Sequence, residues 1–278
     1  MFKILKPGFF TSVQDQGRFG YRDKGVPVSG AMDAISASRA NRLLENDPRS
    51  ALLEITMTGP EIEFEAHTCI CLSGAKFSAK VNEEPIGNDK VIRIQKGDKL
   101  SFGKLEQGFR AYLGIKGGVQ EETVLGSKSF YFPLTKRSSL KAHTEIDFEP
   151  SDFVPKISEM KIEGFLSSKI IEVQKGPEFD LLNQSQLTQL FAEPFTVSKE
   201  NNRMAYQLNE YLDGHTMKML TSATLPGTVQ LTPAGRLIIL MKDGQTTGGY
   251  PRILQLTNTS ICVLAQKKFG DTIKFKWA

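Results

Sequence analysis

Apolar residues in this chain come in short, β-branched runs cut by glycine or proline, a pattern that favours strands over helices. Cys69 to Leu72, Val91 to Ile94, Ala111 to Ile115, Leu237 to Met241, Ile261 to Leu264 and Thr272 to Phe275 each read as a strand. Two segments have helical spacing instead. The first starts at about Asp33, a residue type suited to an N-cap, and runs to about Glu45, where Asp47-Pro48 stops it. The second runs from about Glu178 to Leu190, with Phe179, Leu182, Leu187 and Leu190 near helical spacing and Glu193-Pro194 at its end. The fold class expected is mostly β with a few short helices.

Sliding the chain against itself exposes a weak duplication. Thr11 to Tyr21 lies over Thr196 to Tyr206, matching Thr11 with Thr196, Arg18 with Arg203 and Tyr21 with Tyr206, and setting Asp15 against Glu200. Gly97-Asp98-Lys-Leu-Ser-Phe102 lies over Gly270-Asp271-Thr-Ile-Lys-Phe275, in each case a turn followed by an alternating strand. The matches keep the same order, so two related halves are expected, residues 1–155 and 156–278. The 278 residues suffice for two cores. The seam falls in the charged, proline-containing stretch from Glu149 to Glu163.

Composition narrows the function classes. The 35 basic and 31 acidic residues are scattered, with no basic block or aromatic-basic stripe, so nucleic-acid binding is not indicated. Pro7 interrupts the start of the chain before any apolar run reaches signal-peptide length, and no run approaches the roughly 18 residues of a spanning helix. A cytoplasmic protein without membrane contact is expected. Cys69, Cys71 and Cys262 lack zinc spacing and read as reduced core residues, and His67, His143 and His215 do not form a ligand set, so no metal is expected. Neither a Gly-x-x-x-x-Gly-Lys-[Ser/Thr] phosphate loop nor a Gly-x-Ser-x-Gly elbow occurs.

Two polar segments can carry chemistry. Gln245-Thr246-Thr247-Gly248-Gly249-Tyr250 places an amide, two hydroxyls and a phenol beside two glycines whose backbone N–H groups can approach a carboxylate, phosphate or ureido group. The same Gly-Gly also suits a tight turn between the strands Leu237 to Met241 and Ile253 to Leu256. Gln14, Asp15 and Arg18 lie on a glycine-punctuated loop, where the arginine can hold an anion bidentately and Asp15 can orient it or act as a base. An Asp-Arg pair that ties down a loop fits equally, and Arg203 invites both readings too.

Three distant segments carry a family resemblance: Thr11 to Arg22 with Gly25 to Asp33, Ala40-Asn41 and Leu53-Glu54; Gly117-Gly118-Val119 with Val124 to Ser127; and Pro226 to Gln230 with Asp243 to Pro251, Leu264-Ala265-Gln266 and Gly270-Asp271. Together they resemble the biotin-dependent carboxyltransferase family, also labelled allophanate hydrolase subunit 2, which includes the C subunit of 5-oxoprolinase, the KipI antagonist KipA and half of the carboxyltransferase domain of urea carboxylase. Arg203-Met-Ala-Tyr-Gln-Leu208 departs from the family's usual Arg-Met-Gly-Tyr-Arg-Leu. The resemblance implies tandem cyclophilin-like β-barrel domains and a partner of the subunit-B or KipI type, with a further LamB/YcsF-type partner in the full complex. It implies ATP-dependent opening of 5-oxoproline to glutamate, inactive in the isolated chain, with ATP bound together with partner subunits. Asp15, Arg18 and Thr247 would then be catalytic, and Gln14, Arg203, Gln245, Thr246, Gly248, Gly249 and Tyr250 would bind substrate. The alternatives are carboxyl transfer to a urea-like acceptor and a KipA-like protein that antagonises a kinase inhibitor. Met217-Lys218-Met219 matches the biotin-attachment tripeptide, but Gly214-His215-Thr216 before it does not match the carrier's lead-in, so biotin is expected only from a partner.

Overall fold

Alternation along the longest apolar segments builds the first sheet. In the computed structural model, which describes residues 1–160 and 166–278, the strands of the first part are β1 (Phe2–Lys6), β2 (Phe10–Gln14), β3 (Leu52–Thr56), β4 (Glu61–Phe64), β5 (Thr68–Val81), β6 (Glu84–Pro85), β7 (Val91–Ile94), β8 (Lys99–Ile115) and β9 (Glu145–Ile146). They form one sheet in the order β2-β3-β8-β4-β1-β9, with β5 pairing β6, β7 and β8. The inward rings of Phe2, Phe64 and Phe148 pack at centroid distances of 5.9–6.3 Å and anchor its core.

Helix α1 (Ala34–Leu43) packs against β5 and β8. Gly114 lets it come close, because a Cβ there would lie 2.9 Å from Leu44 Cδ1. Cys69 and Cys71 share the buried face under the helix, and burial pushes the Cys71 thiol up to about 12. Asp33 caps α1 as its residue type predicts, accepting from the Ser36 backbone N–H at 3.0 Å. A buried polar network ties this cap to the sheet. Glu54 Oε2 accepts from Met32 N at 2.8 Å and from the Tyr112 hydroxyl at 2.9 Å, and that hydroxyl accepts from Asp33 N at 2.7 Å. Arg110 Nε lies 3.8 Å from Glu54 Oε1, so a buried cation balances the buried carboxylate. Burial first, then the charges of Glu54 and Asp33, raises the Tyr112 phenol well above its ordinary value, so it stays a neutral donor.

The second part contains β10 (Ile170–Lys175), α2 (Gln184–Ala192), β11 (Phe195–Asn201), β12 (Ala205–Tyr211), β13 (Ser222–Ala223), β14 (Thr228–Leu231), β15 (Arg236–Leu240), β16 (Thr247–Gly248), β17 (Arg252–Leu256), α3 (Asn258–Ala265) and β18 (Thr272–Trp277). Seven of these strands close into a barrel, β10-β17-β14-β15-β12-β11-β18, sealed by the parallel pairing of β10 with β18. Closure leaves no edge among those strands. Val173, Val197, Val229, Leu231, Leu237, Ile239 and Ile273 are fully buried in it. Strands β13 and β16 make a separate two-stranded ribbon.

Contacts divide the chain into two compact units, Met1–Arg18 with Ser29–Ser167, and Phe19–Val28 with Ser168–Ala278. The expected boundary at 155/156 lies within the first unit, and the expected seam runs into residues 161–165, outside the described residues. The repeated Gly-Asp turns have their counterparts, with Gly97 (φ +92°) leading into β8 and Gly270 (φ +85°) into β18.

Two expected elements differ. Ile261 to Leu264, read as a strand, belongs to α3. Thr257 caps that helix, accepting from Ser260 N at 3.2 Å, and the helix is so buried that its sequence shows no polar face to betray the helical period. The single helix expected over Glu178 to Leu190 breaks into a 3₁₀ turn (Phe179–Leu181) and α2. Asn183 and Gln186 form a reciprocal capping box that starts a new helix after extended Leu182. No helix among the described residues is long and apolar enough to cross a membrane.

Glu54→Leu removes both acceptor bonds of the carboxylate and leaves the Arg110 charge buried without its counter-ion. A loss of roughly 3–5 kcal/mol is expected, read as a lowered urea midpoint with an unchanged slope.

Candidate functional site

In the first unit the predicted residues gather around the segment from Val124 to Phe130. Asp15 accepts four hydrogen bonds: Oδ1 from Gly17 N (2.7 Å), Ser127 Oγ (2.6 Å) and Ser129 Oγ (2.6 Å), and Oδ2 from Lys128 N (2.6 Å). Arg18 is buried, with Nε donating to Val124 O at 3.1 Å and Nη2 donating to Ser129 O. Gln14 is fully buried, its amide donating to Ser12 Oγ (3.1 Å) and Phe130 O (3.4 Å). The Asp15 carboxylate thus bonds to backbone N–H groups and serine hydroxyls, and the Arg18 guanidinium to backbone carbonyls. Gly30 supports the same loop from behind, because a Cβ there would lie 2.8 Å from Gln16 C, Gln16 O and Gly17 N.

In the second unit, the segment Gln245 to Tyr250 is held from below. Arg203 meets Asp243 as a bidentate fork, Nε to Oδ2 at 2.8 Å and Nη2 to Oδ1 at 3.1 Å, while Asp243 N donates to Arg203 O at 2.9 Å. Thr224 fixes the middle, donating from its N to Thr246 O (3.0 Å) and from its hydroxyl to Gln245 O (2.5 Å). Gln245, Thr247, Gly249 and Tyr250 are exposed, Thr246 is half-buried and Gly248 is buried. The Gly-Gly pair is no hairpin turn. Strands β15 and β17 do not pair with each other but flank β14, and Thr247–Gly248 is itself a strand, pairing Ser222 with Gly248 and Ala223 with Thr247.

Gly248 is needed for a different reason: a Cβ on it would stand 2.5 Å from Gln230 Nε2 and 2.8 Å from Gln245 Nε2. Val229 and Leu231 point into the barrel, so Gln230 between them points outward, against the ribbon. Gln230 is only 1% exposed, and its Nε2 has no hydrogen-bond partner among the described residues. The neighbouring strand is bulged here. The register steps from Val229↔Leu254 to Gln230↔Arg252, which sets Arg252 opposite Gln230. Arg252 then donates to Ala223 O (2.5 Å) and forks onto Glu178 (2.9 and 2.7 Å). Hydrogen bonding to Arg252 holds the Glu178 carboxyl below its usual range. Arg22, from the 19–28 segment, donates to Thr224 O, and its Nη1 has no partner among the described residues.

Sequence reasoning missed Thr224, Gln230, Glu178 and Arg252, and set Arg22 only close behind the loop of Gln14, Asp15 and Arg18. Arg22 and Gln230 stand within the resembling segments, but only the barrel register shows that Gln230 is outward and covered. Lys218 is exposed in the irregular stretch between β12 and β13, not on a tight hairpin. The side-chain amides of Gln245 and Gln230 thus converge at Gly248, and Thr246 and Thr247 carry hydroxyls on the adjoining positions. Such a surface can hold an oxygen acceptor.

Asp243→Ala removes the fork beneath this segment and leaves Arg203 nearly buried without its carboxylate. A stability loss on the order of 3 kcal/mol is expected, with faster hydrogen exchange at residues 244–250 than in the rest of the barrel.

Comparison with known proteins agrees with this architecture. The chain is 31% identical to the C subunit of 5-oxoprolinase from Escherichia coli over 99% of its own length and 90% of that protein's. The crystal structure of TTHA0988 superposes with a TM-score of 0.91 at 26% identity, covering 99% of this chain and 56% of that one. The urea carboxylase of Kluyveromyces lactis superposes with a TM-score of 0.88 at 31% identity, over 99% of this chain and 27% of that one. The family model for the carboxyltransferase domain, subdomains A and B, matches residues 24–277, and the chain belongs to that family.

Proposed function

We propose that this protein is one component of a 5-oxoprolinase-type complex, which opens the lactam of 5-oxoproline to glutamate at the expense of ATP and works only with a subunit-B-like partner and a LamB/YcsF-type partner. The observation that carries this reading is the similarity to the C subunit of 5-oxoprolinase, which runs over 99% of this chain at 31% identity. The second reading, carboxyl transfer to a urea-like acceptor from a partner's carboxybiotin, draws support from the family model itself.

Opening a lactam places growing negative charge on its amide oxygen, and fixed donors that face that oxygen lower the barrier. The hydroxyls of Thr246 and Thr247 and the backbone of Gly249 supply such donors, and the Arg203–Asp243 fork and the Thr224 bonds keep them in place. Tyr250, 41% exposed, can pack on a substrate ring. Arg18 and Asp15 shape the 124–130 segment.

A triphosphate fits poorly on this chain's own helix ends. The N termini of α1, α2 and α3 are already satisfied by Asp33, Asn183 and Thr257, and no phosphate loop is present in the sequence. Binding of ATP together with partner subunits is part of this proposal.

Two outcomes are expected. The isolated chain gives no ATP-dependent conversion of 5-oxoproline, whereas co-purification with its partners restores it; full turnover by the isolated chain would refute this reading. Thr247→Val in the assembled complex lowers kcat/KM about tenfold to a hundredfold, the cost of about 1–3 kcal/mol for one hydrogen bond to a charged oxygen. Because Thr247 is exposed, the melting temperature of that variant stays unchanged.

A further inference from the structure

We infer that Gln230, Gln245 and Arg22 form a carboxylate-binding site on the β13–β16 ribbon. Gln230 is the centre of the argument. A primary amide with its nitrogen buried and unbonded is a costly arrangement, since a buried donor left unsatisfied forfeits its hydration without return. In the fully packed wall of a barrel, an apolar side chain of the same length would fill the position without that cost. The amide nitrogen is aimed at the face of Gly248, where the Gln245 Nε2 also converges, and the missing side chain at Gly248 leaves room for both amides. Gln245 is itself exposed, so it is the movable member that can turn to admit a ligand oxygen.

Charge selects the ligand class. Arg252 is matched by Glu178, whereas Arg22 has no carboxylate partner among the described residues. Arg22 reaches the ribbon through the carbonyl of Thr224, the residue whose own hydroxyl and N–H hold Gln245 and Thr246, and burial lowers the affinity of its guanidinium for the proton without neutralising it. Arg22 therefore brings a positive charge without a carboxylate partner among the described residues to Thr224, the residue that holds Gln245 and Thr246. A single carboxylate satisfies that set, with one oxygen for the amides and one facing the guanidinium. The site does not depend on the ring-opening reaction proposed above, and any carboxylate ligand of this protein would meet it.

The test uses the full chain, alone and co-purified with its partners, in thermal-shift and calorimetric titrations. The probes are 5-oxoproline, glutamate, 2-pyrrolidinone (the same ring without the carboxylate) and inorganic phosphate. The carboxylates are expected to stabilise the wild type, and 2-pyrrolidinone and phosphate to have no effect. Gln230→Met should raise the melting temperature of the ligand-free protein by about 2–4 °C and weaken carboxylate binding at least tenfold. Gly248→Ala, whose Cβ would displace the Gln230 and Gln245 amides, should lose the same binding. A lower melting temperature for Gln230→Met, equal carboxylate binding in the wild type and both variants, equal binding of 2-pyrrolidinone or phosphate, or no carboxylate effect in either preparation would each overturn the site. Binding of glutamate but not 5-oxoproline would sustain the site while removing the ring-opening reading.

Discussion

Guanidinium groups fixed by fork-like bonds are the constraint on which the polar parts of this protein depend. Apolar packing accounts for the two cores, but a loop of hydroxyls and amides has nothing apolar to bury and must be held by directed bonds. Arg18 grips the backbone of the 124–129 segment, Arg203 grips Asp243 at the root of the 245–250 segment, and Arg252 joins Glu178 to Ala223. Arg18 and Arg203 are buried, and Arg252 is half-buried. The rigid planar fork loses little entropy per bond, so a lysine at these places would hold one point where arginine holds two or three.

Arg18, Arg203 and Asp15 bond to the protein's own backbone, serines and Asp243. Thr247, Gly249, Tyr250 and Gln245 face outward on a platform whose underside is fixed. Arg18 and Arg203, which the sequence match sets over each other, both bond to neighbouring loop segments.

The fold is legible in the sequence where one period dominates. Val91–Ile94 is β7 to the residue, and α1 begins after Asp33 as its cap chemistry requires. It is illegible where burial erases the period. Ile261 to Leu264 is apolar on every side, so a helix and a buried strand look alike, and only the Thr257 cap bond distinguishes them in the fold. Gly248-Gly249 presents the same difficulty. Glycine pairs suggest turns, yet neither residue has a positive φ, and Gly248 is small because two amides occupy the space of its side chain. Gln230 is hidden for a further reason: its neighbours mark it as one position in a strand, and which side of a closed barrel it faces depends on closure and on the bulge beside it.

The ten residues Phe19–Val28 belong with a unit whose other members begin at Ser168, and Arg22 bonds to Thr224, 202 positions later. A nascent chain leaves the ribosome at about 5–20 residues per second, so this segment waits roughly 10–40 s for its partner strand to be made. During that interval the first unit must close around a gap in its own sequence, carrying the excursion as a loop. The earliest piece of the second unit therefore cannot be seated until residues made some two hundred positions later have appeared.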